Sequence, residues 1–244
     1  NGNAAIAANE WTFTTMEEQV SDLFFSEYVE GSSNNKAAEI FNPTSNAVDL
    51  SHYTIKKGTN GANFSTLFSL AGTLAAQSTF VIANAGAVAG ILNVADTIDA
   101  DGSVVYFNGD DAVGLFKDDV LIDVIGLTNG VDPGTAWPVA GVDNATAEHT
   151  LIRKASVTHG NTDWAASAGT TAENSEWEVH PQDYIANLGT HSTTLSSAAE
   201  ILTFTLPEQT GAATINSTNG TVSIEVLYGT NATALTPTIT VSAG

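Results

Sequence analysis

Apolar and aromatic residues in this chain come in short runs separated by clusters of Gly, Asn, Asp, Ser and Thr. Leu23 to Glu30 is one such run, Gly31 to Asn35 is a string of turn formers, Lys36 to Phe41 resumes, and Asn42-Pro43 stops it. Two strands around a polar connection predict a hairpin whose apolar face has to be covered by more sheet. The same pattern predicts further strands at 53–57, 79–84, 103–108, 112–117, 120–126 and 150–154, with Lys117-Asp118-Asp119-Val120 as a tight turn. Ala71 to Ala76 and Ala85 to Ile91 are rich in small residues and read as a short helix or a loop. Strand spacing and turn chemistry favour an antiparallel sandwich. Its expected core is Leu23, Phe25, Tyr28, Ile40, Leu50, Phe80, Ile82, Val105, Phe107, Val113, Leu115, Ile122, Val124, Leu151 and Trp164. Trp137, Trp164 and Trp177 lie in a loop-rich stretch and are expected to anchor long connections onto that core.

The pattern changes at both ends. Trp11-Thr-Phe-Thr-Thr15 alternates like a strand but has no obvious partner, and Glu17 to Asp22 is a polar linker. Ser192 to Ala199 is a Ser/Thr/Ala-rich linker. A new β-unit then begins at Ile201, with strands at Ile201–Leu206, Ala213–Ile215, Thr221–Leu227 and Pro237–Val241 and a hairpin signal at Ser217–Gly220. Three regions follow: 1–16 as the terminal strand of a preceding domain, 17–192 as the main sandwich, and 200–244 as a partial β-domain. A half sandwich leaves edge strands open. One outcome is that each end is completed by further chain. The other is that Trp11–Thr15 of one copy adds to a sheet of another, which would give head-to-tail filaments.

Composition narrows the partners. The 244 residues are 43% hydrophobic, enough to bury a core, and only 14% charged. The charge is lopsided, with 27 acidic against 6 basic residues and a net charge of −21. Such a surface repels nucleic-acid phosphate and anionic membrane, whose affinity comes mainly from Lys and Arg. There is no cysteine, and no apolar run is long enough to insert in a membrane as a helix. The abundance of Thr, Ser, Asn, Gly and Ala fits an exported bacterial β-module at the cell surface or outside it.

Candidate chemistry is sparse. Asp96, Asp99 and Asp101 precede Gly102, and Asp110 and Asp111 follow Asn108-Gly109. Clustered loop carboxylates suit calcium, which takes six to eight oxygens, so these five are the candidate metal ligands, with Asp118, Asp119, Asp132 and Asp143 in reserve. The spacing is not that of an EF-hand, and solvated turns are the competing account, since Asp and Asn favour turns anyway. His52, His149, His159, His180 and His191 show no helical metal-site spacing. Glu27, Glu30 and Glu39 are the conceivable glycosidase carboxylates, but Glu27 and Glu30 face opposite ways on one strand. No nucleophile elbow or phosphate-binding loop is present. Lys36, Lys56, Lys57, Arg153 and Lys154 are expected to pair within the acidic molecule, Lys36 with Glu39 and Arg153 with a nearby carboxylate.

The stretch Phe25-Ser-Glu-Tyr-Val-Glu-Gly-Ser-Ser-Asn-Asn-Lys-Ala-Ala-Glu-Ile-Phe-Asn-Pro43 resembles the opening of the lamin tail domain. Val48–Tyr53, Phe107–Leu115, Leu121–Gly126, His149–Lys154 and Trp164 resemble its later motifs, in order. The resemblance is to the bacterial version found in secreted nucleases, phosphoesterases and surface proteins. It implies an all-β, immunoglobulin-like sandwich that binds or assembles rather than catalyses. Residues 1–16 and 200–244 resemble pieces of bacterial immunoglobulin-like domains. Together these imply a non-catalytic module of an exported surface or fibre protein, used for adhesion, assembly or spacing. The alternative is an accessory substrate-binding module of a secreted nuclease or glycan-degrading enzyme. The implied partners are other protein domains, further copies of the chain, or an extracellular glycan.

Overall fold

The computed structural model describes residues 22–193, 201–216, 221–231 and 234–241. The strand expected at Trp11–Thr15 lies outside the described residues, as does the hairpin signal at 217–220. The chain divides into two units, of which the larger is Val20–Thr194.

In the larger unit, β1 (Phe24–Glu30) and β2 (Lys36–Phe41) form the predicted hairpin. They pair antiparallel from Glu30↔Lys36 to Phe24↔Phe41, with a bulge between Phe25 and Glu27. The chain continues through β3 (Val48–Asp49), β4 (Tyr53–Gly58), β5 (Thr66–Ser69), β6 (Thr73–Leu74), β7 (Thr79–Asn84) and a four-residue α1 (Ala89–Leu92). It goes on to β8 (Thr97–Asp99), β9 (Ala112–Lys117), β10 (Val120–Ile125), β11 (His149–Arg153), α2 (Trp164–Ala168) and β12 (Trp177–Pro181). One sheet has six strands in the order β12-β11-β1-β2-β7-β8, and another has four in the order β10-β9-β4-β5. The pairings are antiparallel except for β7 with β8. This is the all-β sandwich that the sequence predicts. The turn Asp118-Asp119 joins β9 to β10 with both residues at positive φ, 46° and 65°, as a two-residue hairpin connection requires.

The sheets enclose one large apolar cluster that includes Leu23, Phe25, Tyr28, Ile40, Leu50, Ile82, Phe107, Leu115, Leu151 and Trp164. Phe80 and Ile122, also expected in the core, only pack against it half-buried. Because side chains alternate along a strand, the residues between these point to the other face of the six-stranded sheet. That outer face is covered as well. Val29, Ala37, Val81 and Ala83 pack there against Ala87, Ile91 and Leu188, a second cluster under α1 and the segment after β12.

Three local expectations are corrected. Residues 103–108 are not a strand. The Asp99 carboxylate accepts the backbone N–H groups of Ser103, Val104 and Val105 at 2.7–3.0 Å, so these residues wrap around an acid instead of joining a ladder. Trp177 lies on an edge strand rather than in a connection. Lys36 pairs with Glu30, its directly cross-strand neighbour, and not with Glu39.

The C-terminal unit carries β13 (Ile201–Thr205) paired with β16 (Thr238–Val241), and β14 (Thr214–Asn216) paired with β15 (Thr221–Ser223). Phe204 and Leu206 are its most buried apolar residues among those described, at 9% and 6% exposure.

Candidate functional site

The register places five residues in one row across the outer face of the six-stranded sheet: Val81, Glu39, Glu27, Ile152 and Glu178. Glu27 and Glu39 are therefore direct cross-strand neighbours, and both are buried, at 1% and 0% exposure. Their environments differ. Glu39 accepts the Ser26 hydroxyl at 2.6 Å and the Gly189 backbone N–H at 2.6 Å. Neither carboxyl oxygen of Glu27 has a partner. Burial first, and then the charge of Glu39, push the Glu27 carboxyl up to about 8. Burial raises Glu39 too, against the opposing hydrogen bonds.

The cover over this row is a strap that follows β12. Asp183 takes Ser32 and Asn35 side chains and the Ser32 N–H, fixing the strap to the tip of the β1–β2 hairpin. Tyr184 accepts the Thr150 hydroxyl, Leu188 enters the outer apolar cluster, and Gly189 caps Glu39. His191 ends the strap against the rings of Phe24 and Phe41, with centroids at 5.9 and 4.9 Å. Burial lowers the His191 imidazole to about 4, with a smaller push from Arg153, so the ring is neutral near pH 7.

Beside the strap is a cavity of about 350 Å³, lined by Ile152, Arg153, Ala155, Glu178, Asn187, Thr190, His191 and Ser192. Arg153 is 1% exposed and is held from several sides. Its Nη2 donates to both Asp123 oxygens at 2.7 and 2.6 Å, and its Nη1 donates to Ser167 at 2.8 Å and Glu176 at 2.9 Å. The guanidinium also lies 4.2 Å from the centroid of the Trp177 ring. Asp123 further accepts the backbone N–H groups of Phe25 and Asn161. This network ties β1, β10, β11 and α2 around one cation.

The five acidic candidates are scattered. Asp96 is exposed and accepts the Val81 N–H at 2.8 Å. Asp99 is buried and saturated by the loop it organises, including the Ser103 hydroxyl at 2.9 Å. Asp101 is exposed. Asp110 and Asp111 are buried; Asp111 takes Lys57 at 3.3 Å and the Asn60 N–H at 3.0 Å. Burial and then Asp111 raise the Asp110 carboxyl. Among the described residues no group of three or more His, Cys, Asp or Glu side chains converges as a metal site. Of the other reserve acids, Asp118 pairs with His52 and Asp119 with Lys56, both at the surface. The outer-face row and the cavity were missed by sequence reasoning. The Glu27–Glu39 pairing has a signal, since counting back from the Glu30–Lys36 hairpin closure brings the two opposite each other. The cavity has none, because the strap is irregular.

Residues 17–129 match the family model described as Lamin Tail Domain. Over that stretch the chain is similar to a lamin tail domain. The match covers β1 to β10 and stops before β11, so the strap and the cavity lie beyond the matched stretch of the lamin tail domain. Residues 201–244 match a second model, described as SGBP, N-terminal. No curated protein and no solved structure matches the chain significantly. Both matched models are of binding-type modules.

Proposed function

We propose that this chain is a non-catalytic binding module of an exported bacterial surface protein, serving adhesion or assembly toward an extracellular glycan. The observation that carries the reading is the order of modules: a stretch similar to a lamin tail domain followed by a stretch matching the N-terminal part of SGBP, a surface glycan-binding context. The electrostatics support it. A net charge of −21 disfavours nucleic acid as the partner, while neutral glycans are indifferent to it. The Glu27 carboxyl, pushed up to about 8, and the neighbouring Glu39 are buried at 1% and 0% exposure, which speaks against their use as an open catalytic pair.

The test is turnover. The purified full chain, incubated with polysaccharides, nucleic acids and phosphoesters, is expected to release no product. Product release that survives chelation and is lost on one carboxylate substitution would overturn the reading.

A further inference from the structure

We infer that the strap over residues 182–192 is a pH-operated latch on the outer face of the six-stranded sheet, closed while Glu27 carries its proton and lifted when that carboxyl ionises.

The geometry places Glu27 within the strip that the strap crosses. Along β1 the outer face carries Phe24, which meets the ring of His191, and Val29, which shares an apolar cluster with Leu188. Across the ladder on β2 stands Glu39, whose Oε2 accepts the Gly189 backbone N–H at 2.6 Å. Across the other ladder on β11 stands Ile152, which lines the cavity together with Asn187 and Thr190. The strap thus engages neighbours of Glu27 on three sides and bounds the cavity on the fourth. Both carboxyl oxygens of Glu27 are buried without a hydrogen-bond partner.

Nothing around Glu27 is arranged to hold a second negative charge. Of the two acids, Glu39 alone has donors, so the charge of the pair rests there and the proton rests on Glu27. The row ends in Glu178 on β12, and Asp96, ahead of β8, acts on Glu39 as a further negative charge. β11 carries Arg153, already paired with Asp123 and Glu176. The strap brings His191, uncharged near pH 7, and Asp183, which is fixed to Ser32 and Asn35. Lys36, at the far end of the hairpin ladder, is paired with Glu30. An ionised Glu27 therefore faces a carboxylate with no donor of its own, and it gains by meeting water.

Water can arrive by parting the ladders or by lifting the strap, and the strap is the weaker element. β1 is paired with β2 on one side and β11 on the other. Residues 182–193 contain no strand, and Leu188 is the single buried residue among them. Segments with so few buried contacts open more readily than core strands. Lifting uncovers both acids and the apolar residues Val29, Ala37 and Val81. The closed value of Glu27 is about 8 and its ordinary value 4.5, so opening releases a proton over that range and becomes more favourable as pH rises. His191, about 4 when closed and 6.5 ordinarily, opposes this below pH 6.5. The net rise in opening therefore falls between pH 6.5 and 8, at up to about tenfold per pH unit, and levels off above 8.

The experiment is amide hydrogen exchange on the full chain between pH 6.5 and 9, each rate divided by that of the unstructured peptide at the same pH. Peptides from 182–190 report on the strap, and peptides from β1 and β2 report on the ladders. Glu27→Gln, which keeps the shape but cannot ionise, is measured alongside. Strap protection is expected to fall by up to about tenfold per pH unit from 6.5 to 8 in the unmodified chain, while the ladders stay better protected. In Glu27→Gln the strap should show no such slope. Strap and ladders losing protection together would mean that the unit opens as a whole, which overturns the latch. A slope that persists in folded Glu27→Gln overturns Glu27 as the trigger, and a strap without a slope in the unmodified chain overturns the inference outright. Should circular dichroism show that Glu27→Gln does not fold, Glu27→Met is read by the same criterion. The non-catalytic reading is untouched by any of these results, since it falls only on turnover.

Discussion

Glu27 on β1 stands directly across from Glu39 on β2, and only Glu39 has hydrogen-bond partners. An acid buried beside another acid without a donor folds most favourably in its neutral form.

Stability is expected to fall as pH rises through the range where Glu27 is neutral when folded and ionised when unfolded. The folded value is about 8 and the ordinary one 4.5. Between these values the native state holds the extra proton, so unfolding gains ground with each pH step, at a ceiling of about 1.4 kcal/mol per unit. His191 acts in the opposite sense. Its folded value of about 4 lies below the ordinary 6.5, so it lends stability that is lost as pH drops from 6.5 toward 4. The two slopes oppose each other between 4.5 and 6.5, leaving a net decline from 6.5 to 8. Urea midpoints across pH 4 to 9 measure this profile; a flat line from 6.5 to 8 would contradict it.

Glu27→Met should stabilise the protein by about 1–3 kcal/mol at pH 8, because it removes an unpaired buried polar group without leaving a hole. The gain should shrink at pH 5, only just above the unfolded value of 4.5, where taking up the proton that the folded Glu27 carries costs little. Chemical denaturation at the two pH values checks both halves.

Arg153→Met should cost about 3–5 kcal/mol, since Asp123 would remain buried at 0% exposure without its cation. Arg153→Met combined with Asp123→Leu should recover much of that loss. A double variant no better than the single one would show that the guanidinium's other partners, Ser167 and Glu176, dominate.

Gly126 has φ of +87°, and an added Cβ would fall 2.6 Å from the Trp137 ring. Gly126→Ala therefore combines left-handed strain with a core clash and should lose at least about 1–3 kcal/mol. Gly130→Ala, also at positive φ but with open space around it, should lose less. Thermal melts of the pair separate strain from clash.

Asp99→Ala should loosen residues 103–105, which depend on its carboxylate. Faster amide exchange there is the expected readout. Melting the unaltered chain in millimolar calcium and in chelator tests the calcium expectation at the same time: a ligand that binds the folded state raises Tm, and an unchanged Tm removes it.

Where the sequence was legible, local rules and tertiary packing agreed. The β1–β2 hairpin, the Asp118-Asp119 turn and the alternating apolar residues of β9 and β10 each carry their own signal. Residues 103–108 have strand-like composition, but three of their amides are claimed by one side chain, a tertiary choice that periodicity does not encode. β8 and β12 were overlooked because both are edge strands with mixed exposure. The site was less legible than the fold. Its acidic residues were named from clustering in sequence, whereas the cavity depends on Arg153 and on a strap that meets β1 more than 150 positions away in the chain.

The strap also brings the two ends of the larger unit together. It carries the backbone along the outer face until His191 rests against Phe24, at the very start of β1. The points where the polypeptide arrives and departs are thus neighbours at one corner. A unit whose two ends lie together can be set into a loop of a host domain without spreading that loop's ends.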